Sequence, residues 1–242
     1  MKHTRSSAEI EIREAVVKRF RELWPDARII HEMNVEGGSS RADVVAVQPD
    51  RLWICEIKSE RDKLDRLAGQ IKNFAPCCHG MIVAAHEKWT ARGPTEEIHK
   101  PATKTFPAHI HYRTEPSLLE KTMAGCRRVE VWSYPGRTEN ARHRSWEAPY
   151  RAEVPWYHRM LLLLWADEIR EVAGQHRVSC DQRTPAYKLA PELSRMLSGR
   201  EIEAAVCQAL RARDFAEADP PVLSTDAARP AKPNLYRQEC ML

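Results

Sequence analysis

A chain of 242 residues with 43% hydrophobic side chains can bury one substantial core, or a core plus a small accessory unit. A mean hydropathy of −0.57 excludes a membrane protein, and no apolar run approaches the ~20 residues that span a bilayer. A formal net charge of +4 permits nucleic-acid binding without demanding it.

The longest apolar run, at 160–166, is short and continues into charged residues. The polar start of the chain carries no apolar signal-peptide core, so a cytoplasmic protein is expected. Arginine outnumbers lysine, which suits bidentate phosphate contacts. Seven cysteines stand at 55, 77, 78, 126, 180, 207 and 240. Their odd count and the lack of a Cys-x-x-Cys pair argue against a disulfide framework or zinc ribbon. Cys77-Cys78-His79 has metal-binding residue types, but adjacent cysteines rarely chelate one ion, so buried reduced thiols are expected.

In chain order, residues 7–24 read as an amphipathic helix capped by Ser6 or Ser7, with Ile10, Ala15, Val16, Val17, Phe20 and Leu23 as its core face. Pro25 ends it, and 27–35 contains an apolar run that fits a strand. The Gly37-Gly38-Ser39-Ser40 turn leads into a strand at 41–47. A Gln-Pro-Asp-Arg turn then joins it to a second apolar strand at 52–58. A helix is expected from about 62 to 74, where Leu64, Leu67, Ile71 and Phe74 recur at helical spacing and Pro76 stops it. Residues 80–85 are wholly apolar and read as a central strand.

The stretch 87–126 is broken by four prolines and reads as irregular, with only 116–124 resembling a helix. Residues 128–134 alternate as a further strand, and 136–156 read as a linker or long loop. One strong helix is expected from 157 to about 174, within a helical region that runs to 218. A helix-Gly-helix pattern at 191–212 suits either a DNA-reading helix-turn-helix or a packed helical hairpin. Residues 219–242 read as a disordered tail.

The hairpin at 41–58 carries chemistry as well as structure. If its strands pair, Asp43 at the start of the first lies beside Glu56 and Lys58 at the end of the second. Alternation puts Glu56 and Lys58 on one face and Ile57 on the other. Phosphodiester hydrolysis needs an activated water and neutralisation of phosphoryl charge. Two carboxylates holding Mg²⁺ supply the first, and a neighbouring lysine serves both needs. Asp43 and Glu56 are the expected metal ligands, with the Ile57 carbonyl directed at the same place. A bare Glu-x-Lys is a weak signal, but charges at the margins of such apolar strands are more informative.

These residues resemble the core of the PD-(D/E)XK nuclease superfamily, and especially VRR-NUC-like and related small bacterial and phage nucleases. The shared elements are Ala8-Glu9 with Ile12-Arg13-Ala15 on the first helix, Arg41-Ala42-Asp43, Glu56-Ile57-Lys58-Ser59, and Gln70 on the following helix. Ala42 stands where family members often carry proline. The resemblance covers about residues 7–86, with an extension to 128–134. It implies an α/β fold with a restriction-endonuclease-like core: helix, three-stranded antiparallel meander, helix and further strands. That core would occupy 1–135, ahead of an α-helical C-terminal region.

It further implies a metal-dependent deoxyribonuclease, an endonuclease rather than an exonuclease. Asp43, Glu56 and Glu9 would bind Mg²⁺, for which Mn²⁺ would substitute. Lys58 would be catalytic and Gln70 would support the site. Glu11 and Glu14 rival Glu9 on the same helix, and the motif chooses Glu9. His31, Glu32 and Arg41 are close enough in sequence to join the site, and Arg61, Arg66 and Lys72 could touch phosphates. DNA is the expected partner. A homodimer fits two-strand cleavage, and the C-terminal helices are candidates for binding DNA or a protein. The competing readings are an inactive nucleic-acid-binding module of the same fold, or an assembly protein acting through the C-terminal helices.

Overall fold

The computed structural model describes residues 5–35, 40–126, 129–136, 146–149, 152–181 and 183–222. Helix α1 (Ser7–Leu23) begins at Ser6, whose hydroxyl accepts the Glu9 N–H at 3.2 Å. Strands β1 (Arg28–Val35), β2 (Ser40–Val47) and β3 (Leu52–Lys58) form an antiparallel meander. Helix α2 (Leu67–Phe74) and a 3₁₀ turn (Ala75–Cys77) cross over to β4 (Gly80–His86), which runs parallel to β3. Helix α3 (Glu87–Thr90), a separate hairpin of β5 (Thr95–Lys100) and β6 (His109–Thr114), and α4 (Leu118–Thr122) precede β7 (Val129–Tyr134). β7 is parallel to β4, so the main sheet is mixed and five-stranded, in the order β1-β2-β3-β4-β7. Helices α5 (Tyr157–Leu161), α6 (Ala166–Gln175), α7 (Ala186–Met196) and α8 (Gly199–Ala212) complete an α/β fold. Among the described residues no helix is long and apolar enough to cross a membrane.

One face of the sheet is covered by α1. Ile12, Val16 and Phe20 pack against Val44, Ala46, Cys55 and Ile57, and Trp24 stacks on Trp53 with ring centroids 4.5 Å apart. Each such fully buried side chain contributes about 1.5–3 kcal/mol. The expected core face of α1 needs correction, because Ile10 is exposed. The buried stripe runs through Ile12, Arg13, Val16 and Phe20, a spacing of three and four residues that leaves Ile10 on the outside.

The other face holds one continuous core formed by α2 and the C-terminal helices together. Leu67, Ile71 and Phe74 belong to the same cluster as Leu161, Leu193, Ile202, Val206 and Leu210. Residues 157–218 therefore build much of this core rather than follow it. Arg28 ties the end of α8 to β1. Its guanidinium Nη1 donates to the carbonyls of Leu210, Arg211 and Arg213 at 2.9, 2.8 and 2.6 Å, satisfying helix-end acceptors. Gly199 opens α8 against Tyr157, where a Cβ would come within 2.0 Å of the phenol oxygen.

Other expectations also shift. The helix expected from 62 starts at Leu67, because the Asp62 carboxylate accepts both the Ser59 N–H (2.7 Å) and its hydroxyl (2.6 Å), closing a turn instead. The single helix expected at 157–174 is two. The Glu168 carboxylate accepts the Trp165 N–H at 2.6 Å and starts α6 afresh. The helix expected to begin at 191 begins at Ala186, with Pro191 inside it. The stretch 87–126 is ordered as α3, the β5–β6 hairpin and α4. It lacked a signal because the hairpin is exposed and buries no alternating face.

Within the expected linker, Trp146 stacks on Trp132 at 4.9 Å and Glu153 N–H donates to the His79 carbonyl at 2.8 Å, so its described parts are packed. In the expected tail, Asp219 N–H donates to the Ile29 carbonyl at 2.9 Å, and Val222 N–H to that of Arg211 at 2.8 Å. The rest of that tail, from 223, and most of the 37–40 turn lie outside the described residues. Cys77 and Cys78 are buried thiols whose Sγ atoms donate to the Asn73 and Phe74 carbonyls, and His79 Nδ1 accepts the Leu52 N–H at 3.1 Å.

Candidate active site

The site grows from the point where β2 and β3 part. Their pairing ends at Val44 opposite Cys55. One residue further, the Asp43 carboxylate takes the place of a strand carbonyl and accepts the Ile57 N–H at 2.7 Å. This fork lets a carboxylate enter a sheet without leaving a backbone donor unpaired.

A second irregularity lies at the same level. Glu32 has φ +55°, in the left-handed region that a non-glycine residue occupies only when its surroundings impose it. Ile30, Met33 and Val35 share one core, as do Ala42, Val45 and Val47. Strict alternation would have grouped Ile30 with Glu32, and Val45 with Asp43. Both strands change face together at the Glu32–Asp43 level, which frees these two carboxylates from the sheet's in-and-out pattern.

Asp43 consequently stands between two charged groups. Toward α1, Arg13 is only 5% exposed and its guanidinium lies 2.8 Å from Glu9, 2.8 Å from Glu32 and 3.6 Å from Asp43 Oδ1. It also donates to the Asp43 carbonyl at 2.5 Å and lies 3.4 Å from His31 Nδ1. Arg5 and Arg41 pair with Glu32 at 3.1 and 2.6 Å. Carboxylate oxygens of Glu9, Glu32 and Asp43 lie within 4.8 Å of one another, so these three could also hold a cation, although arginines already neutralise them.

Toward α2, Lys58 Nζ donates to Glu56 Oε1 at 2.6 Å and to Gln70 Oε1 at 3.1 Å, and Gln70 Nε2 donates to Glu56 Oε1 at 2.5 Å. Gln70 reaches this place because Leu67, Ile71 and Phe74 turn that side of α2 to the sheet. Glu56 is 2% exposed, and its second oxygen, Oε2, is buried with no hydrogen-bond partner. Burial, reinforced by the negative charge of Asp43, raises the Glu56 carboxyl to about 8. Burial also raises Asp43, against the opposing pull of the Ile57 N–H and Arg13.

The sequence-expected residues thus meet, with one redistribution. Glu56, Lys58 and Gln70 form one hydrogen-bonded group; Asp43 adjoins it through the Ile57 N–H and shares a carboxylate cluster with Glu9 and Glu32. Glu11 and Glu14 are exposed. His31, Glu32 and Arg41 do join the acidic cluster. Arg61, Arg66 and Lys72 are exposed side chains outside it. Arg13 carried no assigned role in the sequence. Its signal was present in the four-residue spacing from Glu9 on a helix face that also holds Ile12 and Val16.

Residues 2–95 match the family model of bacteriophage P4 protein cII. That stretch contains Glu9, Arg13, Glu32, Asp43, Glu56, Lys58 and Gln70, and ends at the first residue of β5. No curated protein and no solved structure matches the chain significantly.

Proposed function

We propose that the protein is a metal-dependent nuclease with a restriction-endonuclease-like core, acting on phosphodiester bonds of DNA at the Asp43–Glu56–Lys58 group. The observation that carries this reading is Glu56 Oε2, a buried carboxylate oxygen without a partner, next to a second carboxylate that burial also disfavours. An unpaired charge in such a place is costly. A divalent cation shared with Asp43 would remove that cost, so the donor set fits Mg²⁺ or Mn²⁺.

Bound there, the cation would supply Lewis acidity and a water of lowered pKa. The chain's own groups do the rest. Lys58 carries three donors, of which Glu56 and Gln70 use two. The third remains for a phosphate oxygen or the attacking water, and the positive charge offsets what develops on the phosphoryl group. Gln70 spans Glu56 and Lys58 and fixes both in one orientation. Asp43 is fixed by the Ile57 N–H and by Arg13, so neither carboxylate needs to reorganise on binding substrate.

Purified protein incubated with labelled duplex, single-stranded, flap and junction DNA plus Mg²⁺ or Mn²⁺ tests the reading, with Lys58→Ala alongside. Cleavage lost in the variant is the expected result. Equal cleavage by both proteins would overturn the mechanism, and no cleavage with intact DNA binding would favour an inactive binding module.

A further inference from the structure

The β5–β6 hairpin buries almost nothing of its own, yet it is held firmly at its base and at its tip. At the base, Gly93 N–H donates to the Glu115 carbonyl and Glu115 N–H to that of Pro94, both at 3.1 Å. The Thr95 and Thr114 hydroxyls bond at 2.8 Å, and Arg92 pairs with Glu120, which also closes the capping box of α4. At the tip, Thr103 N–H donates to the Phe106 carbonyl at 2.8 Å, and the Thr103 hydroxyl accepts the Phe106 N–H at 3.1 Å, between Pro101 and Pro107. This rigid turn leaves Phe106 64% exposed. An ordered aromatic left mostly exposed by its own chain is available to something else.

The ribbon is also placed beside the site. β3 and β4 are parallel, with Lys58 opposite Ala85, so the chain leaving β4 emerges at the sheet end that carries Lys58. The segment that leads into the ribbon is pinned there. Trp89 Nε1 donates to the Ser59 carbonyl at 2.8 Å and Lys88 Nζ to the Glu60 carbonyl at 3.0 Å.

The distal part, residues 98–111, contains Lys100, Lys104, His99, His109 and His111 and no carboxylate. Cross-strand partners share a face. Lys100 with His109, and His111 with Ile98, therefore lie on one side; His99 with Ile110, and Tyr112 with Glu97, lie on the other. One side offers Lys100 beside two imidazoles, the other Ile110 and Tyr112 with His99 and Glu97, and the tip offers a phenyl ring with Lys104. Phosphates along a strand match the first, and unstacked bases match the ring. Bases inside a duplex are already stacked, which favours a single strand.

We propose that the β5–β6 ribbon is an arm that binds single-stranded nucleic acid, Lys100 and Lys104 following the phosphates and Phe106 stacking on an unpaired base. The purpose of such an arm, to bring a strand to Lys58, rests on the nuclease reading; its affinity for the strand does not. The test is fluorescence anisotropy of full-length protein with labelled single-stranded DNA and the matching RNA in EDTA, where metal-dependent hydrolysis is absent. Phe106→Ala is expected to weaken binding about tenfold, as loss of one stacked base does. The double variant Lys100→Gln with Lys104→Gln is expected to reduce the log–log salt slope by about 1.4. All these side chains are exposed, so thermal unfolding of both variants should match the parent. Unchanged affinity and slope in both variants, or no binding by the parent, would overturn the arm. So would a change in self-association or protein binding without a change in nucleic-acid binding. Cleavage that persists while both variants bind normally would sink the arm and leave the nuclease reading standing; the reverse pattern would do the opposite.

Discussion

Asp43 faces two groups of charges that the fold treats in opposite ways. On the α1 side, Glu9, Glu32 and Asp43 surround the guanidinium of Arg13, with Arg5 and Arg41 completing the balance at Glu32. On the α2 side, Lys58 pairs with the buried Glu56, which keeps an oxygen with no partner. The first group is balanced in charge and holds α1 to the sheet, with the Nε of Arg13 as its one buried atom lacking a hydrogen-bond partner. The second leaves a buried carboxylate oxygen unpartnered, a cost to stability that the proposed cation would remove. A count of carboxylates alone points to the Glu9–Glu32–Asp43 side.

Substitutions can break this contrast. The largest effect is expected from Lys58→Ala, with hydrolysis falling on the order of a thousandfold, because the free donor and its charge disappear. Steady-state cleavage assays measure it, and a loss smaller than about tenfold would remove Lys58 from the chemistry. Arg13→Gln should act on folding instead. Removing a buried cation from three carboxylates is expected to cost about 3 kcal/mol in urea unfolding, and an undiminished stability would mean that the α1 side is not charge-balanced as described.

Glu56→Gln sharpens the contrast through pH. The Glu56 carboxyl is raised from 4.5 to about 8, so the folded protein keeps a proton that the unfolded chain releases. The stability this group contributes in metal-free protein is full below pH 4.5 and is lost as pH rises through about 8. Glu56→Gln should flatten that decline and unfold at a higher temperature than the parent at pH 8. A steeper decline in the variant would contradict the assignment. The smallest effect is expected from Glu9→Gln, which should lower Mn²⁺ affinity in calorimetry by less than about tenfold, the loss typical of an outer partner. A complete loss would restore Glu9 as a direct metal ligand.

Much of this was readable beforehand because it follows from local rules. The hairpin of β2 and β3, with charges at its margins, foretold that Asp43 would lie beside the Glu56–Ile57–Lys58 end of β3. The spacing of Leu67, Ile71 and Phe74 placed Gln70 on the right helix. The β5–β6 ribbon was unreadable for the opposite reason: an exposed hairpin buries no face and therefore leaves no periodic trace. Where 157–174 divides into α5 and α6 depends on one hydrogen bond, from the Trp165 N–H to Glu168, that apolar spacing does not record.

By itself the sequence determined the strands of the main sheet, the first helix and the residue types gathered at one sheet end, since periodicity and strand ends are properties of neighbours along the chain. Only tertiary structure decided which charges are satisfied. Arg13 lies 30 residues from Asp43, and Gln70 lies 14 from Glu56. Burial, which leaves one Glu56 oxygen unpaired, is set by what packs over β3 in space, α2 with Gln70 among it. Electrostatic balance depends on distance and solvent exclusion in space, and neither is written in the order of residues.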